Sequence, residues 1–144
     1  MGISTLSRYG LRALLEMADA EDVCPISSRE ISKRQNIPST YLEQILSRLK
    51  RAGLVRSTRG AQGGYVLGRH PEDITVLEIA ETLDGPQYIA DCHDGKCLKK
   101  CDDGTPCIAA MFWTELEDTM HDILDTTSLQ DIIDSWREKT HQGG

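Results

Sequence analysis

SSREISKRQNIPSTYLEQILSRLKR, residues 27–51, is the stretch that decides the fold. It opens on Ser27 with Glu30 three residues later, the spacing of a capping box: the serine oxygen takes an orphan N–H and the glutamate returns to the cap N–H. Ile26 and Ile31 stand where a hydrophobic staple needs them. A helix over about 27–34 follows, then a turn through Asn36-Ile37-Pro38, then a second helix over 40–51. In that second helix Leu42, Ile45, Leu46 and Leu49 recur at i, i+3, i+4 and i+7 and give one apolar face. Gly53 sits where a left-handed C-cap is expected. Two helices around so short a turn read as a helix-turn-helix.

Moving outward, residues 54–67 read LVRSTRGAQGGYVL. Two β-prone runs, Leu54–Thr58 and Tyr65–Leu67, flank a glycine-rich tip, which makes a hairpin the natural reading and adds a wing to the two helices. Upstream, a helix over 4–19 carries Leu11, Leu14, Leu15 and Ala18 as its stripe. Downstream, Thr75 and Glu78 repeat the capping box, with Ile74 and Ile79 as staple, for a helix over 75–84 closed by Gly85-Pro86. A long helix over 108–125 and a last one over 129–138, led by a weaker Ser128/Asp131 box, complete the chain. The expected fold is mainly α with a small β-hairpin wing: a winged helix-turn-helix domain plus a long helix, which the family resemblance described below makes a dimerisation helix. Three parts follow: 1–85, a cysteine-rich loop over 86–107, and 108–144.

The chain has 144 residues and a formal net charge of −7, which looks wrong for a nucleic-acid binder until it is divided. Residues 1–70 hold 11 Lys/Arg against 6 Asp/Glu, and residues 29–69 hold 9 against only 2. A local patch keeps its own field because screening acts over about 10 Å, so a basic first half attached to an acidic second half suggests a polyanion-binding module. In a winged helix-turn-helix the second helix enters the major groove with its N-terminal residues near base edges. Here these are Ser39, Thr40, Tyr41, Glu43 and Gln44; glutamine pairs with adenine, glutamate accepts from cytosine, and hydroxyls reach base or phosphate. Arg29, Arg48, Lys50, Arg51 and Arg56 are phosphate candidates, and Arg59 with Gly60 forms a wing tip slim enough for a minor groove.

Four of the five cysteines, Cys92, Cys97, Cys101 and Cys107, fall between residues 92 and 107 in a stretch with almost no periodicity. Reduced thiols clustered this densely point to a metal or redox site, and either iron–sulfur or zinc would order a loop that has little hydrophobicity of its own. Cys24 has no partner signal and reads as an incidental small apolar residue; His70, His121 and His141 read as surface residues. No run of about 18 apolar residues exists, so no membrane span is expected. The N-terminal stretch, broken by Ser4, Thr5, Ser7 and Arg8, does not read as a secretory leader, and a cytoplasmic location is the default expectation. No nucleotide-binding glycine motif and no CxxC before a helix is present, so an enzyme is not expected.

The run Arg8-Tyr9-Gly10-Leu11-Arg12-Ala13-Leu14, the Tyr41–Leu46 segment and Arg59-Gly60-Ala61 through Gly63-Gly64-Tyr65 resemble the Rrf2 family of bacterial winged-helix regulators. The resemblance continues through Ile74–Ile79 and the Leu129, Asp131, Ile132 tail, and is nearest to the iron–sulfur-sensing type within that family. It implies a homodimer crossed through a long helix and bound to a roughly palindromic double-stranded DNA operator. The crossing helix would be 108–125, where Ile108, Phe112, Leu116, Met120 and Leu124 form an i+4 stripe flanked by Met111 and Ile123. The family's cluster loop has three cysteines and a fourth, non-cysteine ligand from elsewhere. Cys92, Cys107 and either Cys97 or Cys101 match it, leaving one cysteine extra. Where relatives carry a ligating histidine or an N-terminal acidic ligand, this chain has Ala110 and Arg8. Cys97 or His93, or a carboxylate such as Asp91 or Asp102, therefore stand as fourth-ligand candidates, with a 2Fe–2S cluster favoured, 4Fe–4S possible and zinc the non-redox alternative. A cluster that orders the loop would couple to operator binding, in a direction the sequence does not give. The other expectation is regulation on the same fold by a thiol switch, a partner enzyme or a thiol metabolite.

Overall fold

The computed structural model describes residues 3–19, 24–89, 92–93, 96–97 and 108–143. Helix α1 runs Thr5–Ala18, α2 Ser28–Gln35 and α3 Ser39–Arg51. Strands β1, Val55–Thr58, and β2, Gly64–Leu67, pair antiparallel with Val55 opposite Leu67 and Thr58 opposite Gly64. A 3-10 turn over Pro71–Asp73 precedes α4, Val76–Asp84. Two-residue strands β3, Cys92–His93, and β4, Lys96–Cys97, follow, then α5, Ile108–Thr126, and α6, Leu129–Gln142. The expected order of helices and wing is present. The winged helix-turn-helix unit is α1, α2, α3, the β1–β2 hairpin and α4.

Leu14, Ile31, Leu42, Ile45, Leu49, Leu54, Ile74 and Ile79 are almost fully buried in one core. Each such side chain contributes about 1.5–3 kcal/mol of transfer free energy. α6 returns to this same core through Leu129, also fully buried, and Arg137 of α6 reaches Asp19 at the end of α1 at 2.9 Å. The return is stitched by backbone. Val76 N–H donates to the Thr127 carbonyl and Leu129 N–H to the Ile74 carbonyl, each at 3.0 Å, so the chain comes back to the place where α4 began.

Several local expectations need correction. The Ser27/Glu30 and Thr75/Glu78 boxes are half made: Ser27 and Thr75 accept from the Glu30 and Glu78 N–H groups, but the glutamates turn away. Glu30 pairs with Arg34 at 2.8 Å and Glu78 with Arg69, ion pairs that outcompete the return bond. The complete box is the one judged weaker, where Ser128 N–H donates to the Asp131 carboxylate at 2.9 Å and Asp131 N–H to the Ser128 hydroxyl at 3.1 Å. Among the described residues no cation pairs with this aspartate. α6 extends past 138 to Gln142 because nothing breaks it before Gly143. The 86–107 stretch contains the β3–β4 ladder, two residues a side and too short to leave a periodic signal.

The wing is also wider than a hairpin. Ile26 N–H donates to the Tyr65 carbonyl at 3.0 Å and the Ile26 carbonyl accepts in return from Tyr65 N–H at 2.8 Å, so the residue before the α2 cap adds a single antiparallel bridge to β2. A Cβ at Gly64 would lie 2.5 Å from the Ile26 carbonyl carbon and oxygen, so glycine is what lets the backbones approach. Among the described residues, no helix is long and apolar enough to cross a membrane.

Candidate nucleic-acid interface and cysteine loop

The turn between α2 and α3 is fixed from three sides. Asn36 takes a left-handed backbone (φ 52°) as the C-cap of α2, a conformation asparagine tolerates better than most residues. Ser32 Oγ donates to the Ile37 carbonyl at 2.6 Å, and Ile37 itself is buried. From α1, Arg12 donates through Nη2 to the Gln35 carbonyl and through Nε to the Gln35 side chain at 3.2 Å. The angle of α3 to α2 is therefore set by hydrogen bonds as well as by packing. Pro38 at the N-cap of α3 provides no side-chain acceptor, which leaves the first turn of that helix uncapped by any side chain.

α3 divides cleanly. Leu42, Ile45, Leu46 and Leu49 are at most 1% exposed, whereas Ser39, Thr40, Tyr41, Glu43 and Gln44 all lie on the surface. Tyr41 is 45% exposed and sets its ring edge-on to Tyr9, with centroids 6.1 Å apart, while the Arg12 guanidinium lies 5.6 Å over the Tyr9 ring. Tyr41 is thus braced by α1 yet keeps an open face. Arg29, Lys50, Arg51, Arg56 and Arg59 are exposed and form no hydrogen bond or ion pair with any described residue. Gly60, beside Arg59 at the wing tip, has φ 111° and its carbonyl accepts from Gly63 N–H at 2.9 Å, which closes the tip tightly.

Arg48 is different from its neighbours. Its Nη1 donates to the Leu83 carbonyl in the last turn of α4 at 2.9 Å, satisfying an otherwise orphaned acceptor. Next along, Asp84 accepts from the Ser4 hydroxyl, from Ser4 N–H at 3.1 Å and from the Ser7 hydroxyl at 2.6 Å. Burial alone would raise the Asp84 carboxyl, but the bonds from Ser4 and Ser7 and the Arg48 charge outweigh it and hold the group below its ordinary range.

Beyond α4 the chain heads into the cysteine segment. On the β3–β4 ladder Cys92 stands opposite Cys97, and His93 opposite Lys96. Cys101, Cys107, Asp91 and Asp102 lie outside the described residues. Ala110 is fully buried on α5 and offers no donor atom; Arg8 donates to Thr5 Oγ1 at 3.2 Å. Cys24 is an exposed free thiol at the rim of a pocket of about 390 Å³ between the end of α1 and the base of the wing, rather than a packed apolar residue.

α5 carries the expected stripe on its surface: Ile108 is 87% exposed, Phe112 56%, Leu116 40% and Ile123 60%, with Met120 and Leu124 half-buried. The residues it buries are Ala110 and, unexpectedly, Glu117. Glu117 Oε2 accepts from Ile89 N–H at 3.2 Å, and His121 Nε2 lies 2.5 Å from the Gln87 carbonyl. His121 is half-buried and engaged, not a free surface residue as expected. The i, i+4 spacing of Glu117 and His121, on the side away from the apolar stripe, is the sequence signal that marks this pair.

The sequence profile of the Rrf2 family, described as an iron-dependent transcriptional regulator, matches residues 3–135. The chain belongs to the Rrf2 family. It is 38% identical over 132 residues to the HTH-type transcriptional regulator CymR of Bacillus subtilis, spanning 92% of this chain and 89% of that one. It is 36% identical over 133 residues to the HTH-type transcriptional regulator IscR of Aliivibrio salmonicida, spanning 92% and 77%. The solved structure of CymR, the global cysteine regulator of B. subtilis, superposes with a TM-score of 0.79 at 37% identity, over 92% of this chain and 95% of that one. This Rrf2 protein is accordingly a DNA-binding transcriptional regulator and not an enzyme. Its relatives divide between those named for cysteine regulation and those named IscR, so membership alone does not choose its signal.

Proposed function

We propose that this Rrf2 protein is a homodimeric regulator whose operator binding is tuned by an iron–sulfur cluster, most simply 2Fe–2S, held by Cys92, Cys97, Cys101 and Cys107. The observation that carries the reading is the placement of four cysteines in the segment joining α4 to α5, with Cys92 opposite Cys97 on the β3–β4 ladder. Thiolates are the donors iron–sulfur clusters take, and a quartet needs no further ligand. The buried Ala110 and the Arg8 that stand in place of other ligands favour an all-cysteine set. When bound, such a cluster supplies a redox- and iron-sensitive crosslink.

The protein's own residues do the rest. Ser39, Thr40, Tyr41, Glu43 and Gln44 face base edges in the major groove, Arg29, Lys50, Arg51 and Arg56 meet phosphates, and Arg59 with Gly60 enters the minor groove. The exposed face Ile108, Phe112, Leu116 and Ile123 supports dimerisation through α5, since so large an apolar strip is seldom left to water. Two protomers related by a two-fold axis would read a roughly palindromic operator in the cytoplasm. Bases and phosphates are then contacted by α3, whose last turn is tied through Arg48 to the helix from which the cysteine segment departs.

A second reading deserves its own test because Cys24 is an exposed thiol beside the wing and one set of relatives is named for cysteine regulation. In it the cysteine segment holds zinc or free thiols, and a thiol switch, partner enzyme or thiol metabolite regulates the same fold. Anaerobic purification with iron and acid-labile sulfide counted per chain separates the two. Near-stoichiometric iron and sulfide, together with different affinities of loaded and stripped protein for a duplex selected from a random pool, is the expected result. Stoichiometric zinc, or no metal after anaerobic reconstitution, overturns the cluster reading.

A further inference from the structure

α5 is an inverted amphipathic helix within one chain. It exposes Ile108, Met111, Phe112 and Leu116, yet its buried residues are an alanine and a carboxylate. Burying a carboxylate is costly unless hydrogen bonds compensate it, and Glu117, 8% exposed, accepts from Ile89 N–H at 3.2 Å. One turn on, the His121 ring nitrogen contacts the Gln87 carbonyl at 2.5 Å. Gln87 is itself 3% exposed, and its side chain donates to the Gly85 carbonyl at 2.9 Å. Both α5 side chains thus grip backbone groups two residues apart, on the stem that leads directly to Cys92. A pair that merely joined two helices would have no need to bind main-chain atoms of a connecting segment with a buried carboxyl group.

We infer that Glu117 and His121 are positioning residues for the cysteine segment, fixing its stem to α5 so that its thiols converge on a bound metal centre. The inference rests on the reading that those thiols bind metal, but not on which metal. Neither side chain is assigned as a ligand. Partners that orient a ligand-bearing segment typically change metal affinity by about 10–100-fold when lost. The end of α4, where the stem begins, is anchored by Arg48 on the Leu83 carbonyl and by the Ser4 and Ser7 bonds to Asp84, and the α5 grip follows at Gln87 and Ile89.

The test is an anaerobic titration of the reduced, metal-free full chain with Co²⁺, followed by its thiolate-to-cobalt charge-transfer absorption. Glu117→Leu removes the acceptor at similar volume, Glu117→Gln keeps a carbonyl oxygen for Ile89 N–H, and His121→Phe removes the contact to Gln87. Co²⁺ affinity is expected to fall roughly tenfold in Glu117→Leu and His121→Phe, with a shifted charge-transfer band, and to recover in Glu117→Gln. The melting temperature of the metal-free protein is expected to hold. Unchanged Co²⁺ affinity in Glu117→Leu and His121→Phe overturns the inference, as does a wild-type protein that binds no Co²⁺. So does a loss in all three variants that tracks a lower metal-free melting temperature, which would assign the pair to stability alone. If Glu117→Leu does not fold, His121→Phe carries the comparison. A protein that shows the Co²⁺ difference but takes up no iron and sulfide refutes the cluster reading and leaves the positioning role standing.

Discussion

Arg48, on the recognition helix α3, donates to the carbonyl of Leu83 at the end of α4 across 2.9 Å. That guanidinium closes α4, whereas its charge alone reads as a phosphate contact. Arg48→Met is expected to lower stability by about 1–2 kcal/mol, the usual loss when a charged donor leaves a carbonyl, read as a shift in the urea midpoint. Arg51→Met, whose side chain has no partner among the described residues, is expected to leave that midpoint alone. It should instead reduce the slope of log affinity against log salt by roughly 1. The reverse assignment of effects would show that Arg48 faces the DNA backbone rather than α4.

Asp84 gives a pH dependence with a definite sign. Its folded carboxyl lies below the ordinary value of 3.8, so the stability it contributes is fully present above that value and is lost as pH falls through the folded pKa. Asp84→Asn is expected to be less stable than wild type at neutral pH, with the gap narrowing below about pH 4. Urea denaturation from pH 3 to 7 measures it. A gap constant across that range would mean the Ser4 and Ser7 bonds do not depend on the charge.

At the wing, Gly64→Ala places a methyl group 2.5 Å from the Ile26 backbone, which has no flexible side chain to yield. The expected cost is about 1–3 kcal/mol, as for other overpacked sites, with faster amide exchange at Ile26 and Tyr65 as their two bridging bonds open. Weakened DNA binding should follow because β2 and the start of α2 separate together. Wild-type exchange at Ile26 would show that the bridge survives.

The apolar strip on α5 supplies a fourth expectation. Phe112→Glu puts a charge at a position 56% exposed within the single chain. Helix content and melting of the winged unit should persist while sedimentation shifts from dimer to monomer. A variant that remains dimeric would move the protomer contact away from this face.

The helix-turn-helix was legible because its signals are local. Ser27, Asn36 and the Leu42–Leu49 spacing each act within one or two turns, and the structure keeps them where those turns require. The second half of each capping box was not legible, since whether Glu30 or Glu78 returns to its cap depends on Arg34 or Arg69 arriving from the surrounding fold. The same reason hid Arg48. Its charge announces a phosphate contact, and only the three-dimensional placement of α4 offers it the Leu83 carbonyl instead. Glu117 was missed for an opposite cause: an acidic residue on an acidic helix looks like solvent-facing surface until the stem at Ile89 folds over it.

The backbone stitch between Thr127 and Val76 has an architectural consequence. Everything between the end of α4 and that stitch leaves from one end of a nine-residue helix and comes back to the other, a gap of roughly 13 Å. Topologically the cysteine segment and α5 are an insertion in a domain whose remaining parts, α1 to α4 with α6, already share a core. About five residues of plain linker span such a gap. The cysteine segment and α5 could therefore be excised as one module, leaving α1 to α4 with α6 around their shared core and the exposed face of α3 intact.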